Sequence, residues 1–241
     1  MREFIVLKEA IILAGGFGTR LQSVVSNVPK PMAPVNTIPF LDYIFKYLKH
    51  YKIEKVVLSV GYLSEKIIER YKNNFDGIAI DYAIEKDPLG TGGGIRLAMQ
   101  KCGDKDVLVL NGDSFFDVDL NSFYDLHSKW NSDCSLTLRK VSNASRYGTI
   151  KAGHKNRIIS FREKDGLEKE GIINAGVYLL NREVYLKNTK VGNFSIEKDF
   201  FETKLNELNI VGFEQEGYFI DIGIPEDYAK AQNDFKEFKY R

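Results

Sequence analysis

Short, strongly apolar segments rich in Val, Ile and Leu alternate with helix-like segments along the first half of the chain. Four of them are predicted to be strands: AIILA (10–14), KVVLSV (55–60), IAIDYAI (78–84) and DVLVLNG (106–112). Strands that are almost continuously apolar must be covered on both faces, as they are in a parallel sheet. The alternation therefore predicts parallel βαβ units in a doubly wound, mostly parallel α/β sheet.

The segments between these strands carry apolar residues at helical spacing. They are FLDYIFKYLKHYK (40–52), SEKIIERYK (64–72) and GGIRLAMQK (93–101). Ser64 stands at the start of the second segment. We expect it to be the N-cap of that helix, because a serine hydroxyl can accept a hydrogen bond from a free N–H of the first turn.

After about residue 130 the chain becomes richer in strands joined by short polar turns. The segments are CSLTLRKV (134–141), YGTIKA (147–152), RIISFREK (157–164) and GIINAGVYLLN (171–181). We expect a smaller mixed sheet, inserted or appended, that completes a pocket against the first half. Two more predicted helices flank a strand-like GYFIDIG (217–223): SIEKDFFETKLNEL (195–208) and PEDYAKAQNDFKEF (225–238).

Charge and composition exclude some classes of partner. With 44% hydrophobic and 28% charged residues, the composition is that of a globular protein. The formal net charge is only +1, so no global field recruits nucleic acid or an anionic membrane surface. We therefore expect no nucleic-acid and no membrane partner, and any phosphate binding must be local.

The cysteines and histidines form no metal or disulfide pattern. Cys102 and Cys134 are isolated, and His50, His127 and His154 are scattered. The start of the chain is cut by charges and lacks a signal-peptide cleavage site, and no segment approaches the roughly 20 apolar residues of a membrane span. These features predict a cytoplasmic protein with reduced thiols.

A glycine cluster directly follows the first predicted strand. Gly15, Gly16 and Gly18 have no Cβ, so their backbone N–H groups can approach a phosphate closely. The third glycine of the dinucleotide fingerprint is missing, which argues against an NAD-dependent oxidoreductase, and no G-x-x-x-x-G-K-[ST] loop is present. A different phosphate-binding loop is required.

The combination of LAGGFGTRL (13–21) with PKPM (29–32) resembles the signature of the sugar nucleotidyltransferases, which join a nucleoside triphosphate to a sugar 1-phosphate. The resemblance implies that the glycine loop wraps the triphosphate, that Arg20 holds the β- and γ-phosphates, and that Lys30 contacts the attacked α-phosphate. It also implies nucleotide contacts from Leu13, Ala14 and Thr19. The implied fold is one α/β nucleotidyltransferase domain, with a nucleotide-binding half at about 1–130 and a sugar-binding half at about 131–241.

Two aspartates lie where predicted strands end. Asp113 follows LVLNG and Asp221 lies in YFIDIGIPEDY, so a carboxylate at either place can point into the crevice at the edge of a sheet. The resemblance implies that Asp113 is catalytic and that the two aspartates together bind Mg²⁺. Mg²⁺ is usually held by one or two carboxylates, with phosphate oxygens and waters completing its shell.

The second half contains the segments expected to bind the sugar phosphate. The resemblance implies that Gly148 presents backbone to sugar hydroxyls, Glu163 accepts from them, Lys164 pairs with the phosphate and Asn174 contacts the ring. We also expect contacts from Asn111, Gly112, Tyr147 and Glu197, although a charge on a helix surface is an alternative for Glu197.

The segment IEKDPLGTGGGIRLA (84–98) matches the base-reading part of the family. The resemblance implies that Glu85 and a backbone N–H at Gly90 meet the Watson–Crick edge, with Thr91 also binding the nucleotide. A carboxylate can accept from both N1–H and the exocyclic amine of guanine, so Glu85 favours GTP.

The resemblance implies the transfer of GMP from GTP to D-glycero-α-D-manno-heptose 1-phosphate, giving GDP-heptose and pyrophosphate. Transfer of a guanylyl or uridylyl group to mannose or amino-sugar 1-phosphates is an alternative. A non-catalytic binding regulator is another, but the intact Arg20, Lys30, Asp113 and Asp221 argue against it. The sequence leaves the oligomeric state open, including a homo-oligomer.

Overall fold

The computed structural model describes residues 7–16, 21, 25, 28–162 and 169–240. The strands in these ranges are β1 (Glu9–Ala14), β2 (Pro34–Val35), β3 (Ile38–Pro39), β4 (Lys55–Val60), β5 (Asn74–Phe75), β6 (Ile78–Ile84), β7 (Asp106–Asn111), β8 (Ser114–Phe116), β9 (Cys134–Val141), β10 (Thr149–Ala152), β11 (Ile158–Arg162), β12 (Gly171–Asn181), β13 (Ile210–Glu214) and β14 (Phe219–Asp221). The α-helices are α1 (Phe40–His50), α2 (Ser64–Tyr71), α3 (Gly90–Met99), α4 (Leu120–Lys129), α5 (Arg182–Asn188) and α6 (Pro225–Asp234).

The four strands predicted in the first half form the parallel centre of the main sheet. β1 pairs in parallel with β4 on one side and β7 on the other, and β6 extends the sheet beyond β4. Alternate residues of β1 enter different cores. Ile12 packs with α1, whereas Ile11 packs with α3. The predicted double winding, with helices on both faces, is therefore confirmed.

Strands of the second half continue the same sheet. β12 pairs antiparallel with β7, β9 and β10. β11 then pairs with β10, and β13 pairs with β9. The expected mixed pairing is present, but the strands form no separate sheet, because β12 runs directly alongside β7. The boundary near residue 130 remains a prediction.

Helix starts differ from the sequence prediction in two places. The predicted N-cap at Ser64 is wrong, because Ser64 is the first residue of α2. The N-cap is Leu63, which has a left-handed φ of 54° and makes no side-chain capping bond. The helix α3 begins at Gly90, three residues before the predicted start, because its first turn packs closely on the chain around Phe194.

The first helix predicted after residue 190 is a π-helix, Ile196–Glu202, capped by the Ser195 hydroxyl. The last predicted helix is confirmed as α6, followed by a short 3₁₀ turn, Phe235–Glu237. In the described ranges, none of the helices has the length and apolar character needed to cross a membrane.

Candidate active site

The crevice of the sheet opens where the strand order changes direction. From β1 the chain passes first to β4 and β6, and only later returns to place β7 on the other side of β1. Ligands bind at such a switch point, outside the carboxyl ends of the strands. The last paired residues there are Leu13 of β1 and Asn111 of β7, so the glycine loop and Asp113 emerge side by side.

A first cavity of about 390 Å³ lies at this point. It is lined by all the predicted nucleotide-binding residues that the structure describes: Leu13, Ala14, Gly15, Gly16, Lys30, Glu85, Gly90, Thr91 and Asp113. Pro31, Pro88, Asn111 and Gly223 complete the lining. The other predicted phosphate-binding residues, Gly18, Thr19 and Arg20, lie outside the described residues.

Lys30 lies between the two predicted metal-binding aspartates. Its Nζ is 2.6 Å from Asp113 Oδ2 and 3.4 Å from Asp221 Oδ1, and its side chain is only 9% exposed. Pairing of β14 with β8 sets Asp221 opposite Ser114, next to Asp113 in the chain. The three charges sum to −1, so the cluster still attracts a cation.

The two carboxylates fit a magnesium ion. They converge on one ammonium group, which shows that both can contact a single cation, and hard oxygen ligands are those that Mg²⁺ prefers. Within the described ranges, no cluster of three or more His, Cys, Asp or Glu side chains is placed to hold a metal. A metal bound here would therefore complete its shell with substrate phosphates and water.

Gly223 is a site residue that the sequence analysis missed. Its N–H donates to Asp221 Oδ1 at 2.7 Å, and a Cβ at this position would lie 2.7 Å from both Asp221 Oδ1 and Lys30 Nζ. The available signal was a glycine two residues after the aspartate in IDIG. This glycine lets the backbone approach the charged cluster.

We expect Gly223→Ala to lower kcat at least about tenfold while leaving the thermal unfolding temperature nearly unchanged. The added methyl would push against the ends of the Asp221 and Lys30 side chains rather than against backbone. It should therefore shift these charged groups without destabilising the fold. Steady-state kinetics and a thermal melt measure the two effects. Gly103→Ala is the control, because a Cβ there would meet only Glu9 Oε2, at 3.9 Å, and Gly103 lines neither this cavity nor the neighbouring one described below. A Gly223→Ala enzyme with wild-type kcat would contradict the close approach.

Glu85 lines the first cavity, and both of its carboxylate oxygens already accept hydrogen bonds. Oε1 accepts from the Ser59 hydroxyl and Oε2 from the Leu89 N–H, each at 3.0 Å. A Cβ on Gly15 would lie 2.8 Å from Oε1, so the glycine loop rests directly on this carboxylate. Since an ionised carboxylate has about four acceptor positions, Glu85 retains capacity for donors of a ligand.

A second cavity of about 560 Å³ adjoins the first. Five predicted sugar-phosphate residues line it: Asn111, Tyr147, Gly148, Asn174 and Glu197. Asp221 lines it too. Gly112 lines neither cavity, and its N–H donates to Leu13 O at 2.9 Å. Glu163 and Lys164 lie outside the described residues.

Cations that the sequence analysis did not single out also line the second cavity: Arg146, Arg162 and Lys198. Arg146 is fixed by Asp227 at 2.6 Å and by the Tyr147 hydroxyl at 2.8 Å. Arg146 could have been found, because it directly precedes the YGTIKA segment. Positive side chains at this cavity suit a ligand that carries a phosphate.

The two cavities meet at the charged cluster. Asn111 lines both, Lys30 lines the first and Asp221 the second. Asn111 Oδ1 is buried and has no hydrogen-bond partner among the described residues, so a ligand or water must satisfy it. Two ligands filling the cavities would therefore face each other across Lys30, Asp113 and Asp221.

Two known proteins match nearly the whole chain in sequence. The D-glycero-alpha-D-manno-heptose 1-phosphate guanylyltransferase of Aneurinibacillus thermoaerophilus is 45% identical over 230 residues, covering 95% of this chain and 99% of that protein. The enzyme of the same name from Campylobacter jejuni is 44% identical over 220 residues, covering 91% and 96%.

A solved structure has the same fold. The crystal structure of HddC from Yersinia pseudotuberculosis superposes with a TM-score of 0.84 at 36% identity, covering 95% of this chain and all of that one. HddC has also been solved complexed with GMP-PN. The family model described as nucleotidyl transferase matches residues 9–237. The chain is therefore a member of the nucleotidyl transferase family.

Proposed function

We propose that this protein transfers GMP from GTP to D-glycero-α-D-manno-heptose 1-phosphate, giving GDP-heptose and pyrophosphate. The observation that carries the proposal is the meeting of two cavities at Lys30, Asp113 and Asp221. The choice of heptose rests on the relatives that are 44% and 45% identical over nearly their full lengths. We further propose that the enzyme works in the cytoplasm and supplies an activated sugar for a bacterial surface glycan.

The proposed reaction is one in-line displacement. A phosphate oxygen of the sugar 1-phosphate forms a bond to the α-phosphorus of GTP, while the bond from that phosphorus to the bridging oxygen breaks and pyrophosphate leaves. The bonds balance without a covalent enzyme intermediate or a redox partner. Catalysis then consists of positioning the two phosphates and neutralising the charge that develops between them.

Each charged group has a proposed part in this step. Lys30 binds the α-phosphate oxygens, and Arg20 the β- and γ-phosphates. Asp113 and Asp221 would hold Mg²⁺, which would supply positive charge for the phosphates. In the second cavity, Asn174 and Glu197 bind sugar hydroxyls, and Lys164 pairs with the sugar phosphate.

We propose that Glu85 reads the guanine edge with the acceptor positions left by Ser59 and Leu89. Inosine triphosphate keeps N1–H and O6 but lacks the exocyclic amine, so it separates the two contacts. GTP should be preferred over ITP by about 1–3 kcal/mol, roughly 5- to 150-fold in kcat/KM. Glu85→Gln should bring the ratio of kcat/KM for GTP to kcat/KM for ITP close to one, because an amide has one acceptor oxygen where a carboxylate has two.

The measurement is kcat/KM for GTP and ITP in both proteins, with Asp87→Asn as the control. Asp87 lies beside Glu85 in a small adjoining pocket but does not line the first cavity. Asp87→Asn should keep the wild-type ratio. If Glu85→Gln keeps it as well, Glu85 does not read the amine.

A pyrophosphate-release assay tests the function as a whole. The panel combines GTP, ATP, UTP and CTP with the 1-phosphates of D-glycero-α-D-manno-heptose, mannose, glucose and N-acetylglucosamine. We expect the highest kcat/KM for GTP with the heptose 1-phosphate. A higher kcat/KM for mannose 1-phosphate would mean that the enzyme is a guanylyltransferase for a different sugar. If no pair releases pyrophosphate, the proposal is overturned.

A further inference from the structure

The carboxylate of Glu197 is held by three hydroxyl groups from three parts of the fold. Its Oε2 accepts from Thr91 Oγ1 at 3.2 Å and from Ser195 Oγ at 2.9 Å, and its Oε1 accepts from the Tyr178 hydroxyl at 3.2 Å. Thr91 belongs to α3, Tyr178 to β12, and Ser195 caps the π-helix. Such convergence is more than a charge on a helix surface requires, so it fixes the direction of the carboxylate.

Tyr178 is the buried member of this group. Its side chain is fully buried, and its hydroxyl accepts from Asn174 Nδ2 at 2.7 Å while donating its only proton to Glu197. Burial, reinforced by the nearby negative charge of Glu197, raises the pKa of Tyr178 well above its ordinary value. The phenol therefore stays protonated and remains a donor to Glu197.

A bulge in β12 brings Asn174 and Tyr178 together. Asn174 lies opposite Leu138 of β9 and Tyr178 opposite Leu136, so four steps along β12 match only two along β9. Gly176, with a φ of 77°, makes the turn within the bulge, and its N–H donates to Asn174 Oδ1 at 3.1 Å. That bond fixes the amide with its nitrogen towards Tyr178.

The two ends of this hydrogen-bonded chain lie in different cavities. Thr91 lines the first cavity, whereas Asn174 and Glu197 line the second. The Thr91 hydroxyl also accepts from the Ile196 N–H at 2.9 Å, so its own proton is directed to Glu197. A continuous path thus runs from Thr91 through Glu197 and Tyr178 to Asn174.

We propose that Tyr178 is a positioning residue for the sugar phosphate, and that the path from Asn174 to Thr91 links the affinities of the two substrates. The inference rests on the proposed function, because it takes the second cavity to hold the sugar phosphate. A sugar hydroxyl bound by Asn174 and Glu197 adds a partner to this carboxylate and so further restricts its motion, together with that of Thr91 at the start of α3. Ordering the site with one substrate therefore favours the other.

The test measures this linkage in the intact protein. The probe is guanosine 5′-(α,β-methylene)triphosphate, in which the bond to be broken is replaced, so both ligands bind without reaction. Its Kd is measured by calorimetry with and without the sugar 1-phosphate that has the highest kcat/KM in the substrate panel. We expect the sugar phosphate to tighten nucleotide binding at least about fivefold in the wild type.

Tyr178→Phe removes one hydroxyl and leaves the ring. In this variant we expect the sugar phosphate to change the nucleotide Kd less than twofold. We also expect the KM of the sugar phosphate to rise at least about tenfold. The nucleotide Kd measured alone should stay within twofold of wild type. Thr91→Val should abolish the linkage with at most about a threefold change in the Kd of the sugar phosphate alone, because Tyr178 and Ser195 still hold Glu197. It carries the test if Tyr178→Phe fails to fold.

Tyr185→Phe is the matched control. Tyr185 is equally buried, and its hydroxyl donates to Gly92 O at 2.9 Å, on the same helix α3 as Thr91. It should retain the wild-type linkage. The inference would be overturned by any of three results. These are equal linkage in the wild type and Tyr178→Phe, equal loss of linkage in both tyrosine variants, and no linkage in the wild type. Failure of the proposed function would appear differently, as no turnover with any sugar phosphate in the panel.

Discussion

Asp113→Asn and Asp221→Asn should each lower kcat about a thousandfold while leaving the protein folded. Both carboxylates converge on one cationic position, and each substitution removes a negative charge from it while keeping the size of the side chain. A metal on transferring phosphates contributes several kcal/mol to the transition state, and each 1.36 kcal/mol is a factor of ten in rate. The measurements are kcat with saturating GTP, sugar 1-phosphate and Mg²⁺, and Mn²⁺ affinity by electron paramagnetic resonance.

Asp81→Asn is the control for these variants. Asp81 also pairs with a lysine, Lys101 at 3.1 Å, and its side chain is 42% exposed, close to the 38% of Asp113. Asp81 lines neither cavity, so the kcat and the Mn²⁺ affinity of the Asp81→Asn protein should equal those of the wild type. A folded Asp221→Asn protein with nearly normal kcat would show that one carboxylate suffices for the metal.

Lys30→Ala should lower kcat at least about a hundredfold, with a much smaller change in the KM for GTP. Charge develops on the α-phosphate as the new bond forms, and a fixed cation there is worth as much as one oxyanion-hole donor. Removing Lys30 also leaves two carboxylates without their shared cation. Mn²⁺ should therefore bind more tightly to the Lys30→Ala protein than to the wild type when no substrate is present.

Lys101→Ala is the matched control, because Lys101 is the cation of the Asp81 pair. It should change neither kcat nor Mn²⁺ affinity. An effect of Lys30→Ala confined to the KM for GTP would identify a residue that binds the ground state and the transition state equally. Unchanged Mn²⁺ affinity would contradict the competition between Lys30 and the metal.

Most of the parallel centre of the fold could be predicted from short segments. The segments 55–60 and 78–84 are the observed β4 and β6, and β1 extends one residue before its prediction. Continuous apolar composition is a local property, and burial on both faces of a sheet is its direct consequence. The resemblance also gave the family, which the comparisons confirm.

Features that depend on packing were harder to predict. Leu63 is the N-cap of α2 in a left-handed conformation that nothing in its local sequence requires. The helix was predicted to begin only at Gly93, but in the fold α3 begins at Gly90, and its glycines allow the helix to lie against Phe194 and Glu85. Close approach between distant segments leaves no periodic signal in the chain.

Short segments of the chain were enough to predict the alternation of strands and helices and the glycine loop, and the resemblance singled out Lys30, Asp113 and Asp221. How these three side chains meet depends on the packing of distant segments. Lys30 and Asp221 are 191 residues apart in the chain but 3.4 Å apart in the fold. The pairing of β14 with β8 sets Asp221 beside Asp113, and Lys30 contacts both carboxylates. The bulge in β12 likewise joins Tyr178 to Asn174 and, through Glu197, to α3. Strand register and hydrogen-bond direction arise from contacts between distant segments, so local composition cannot specify them.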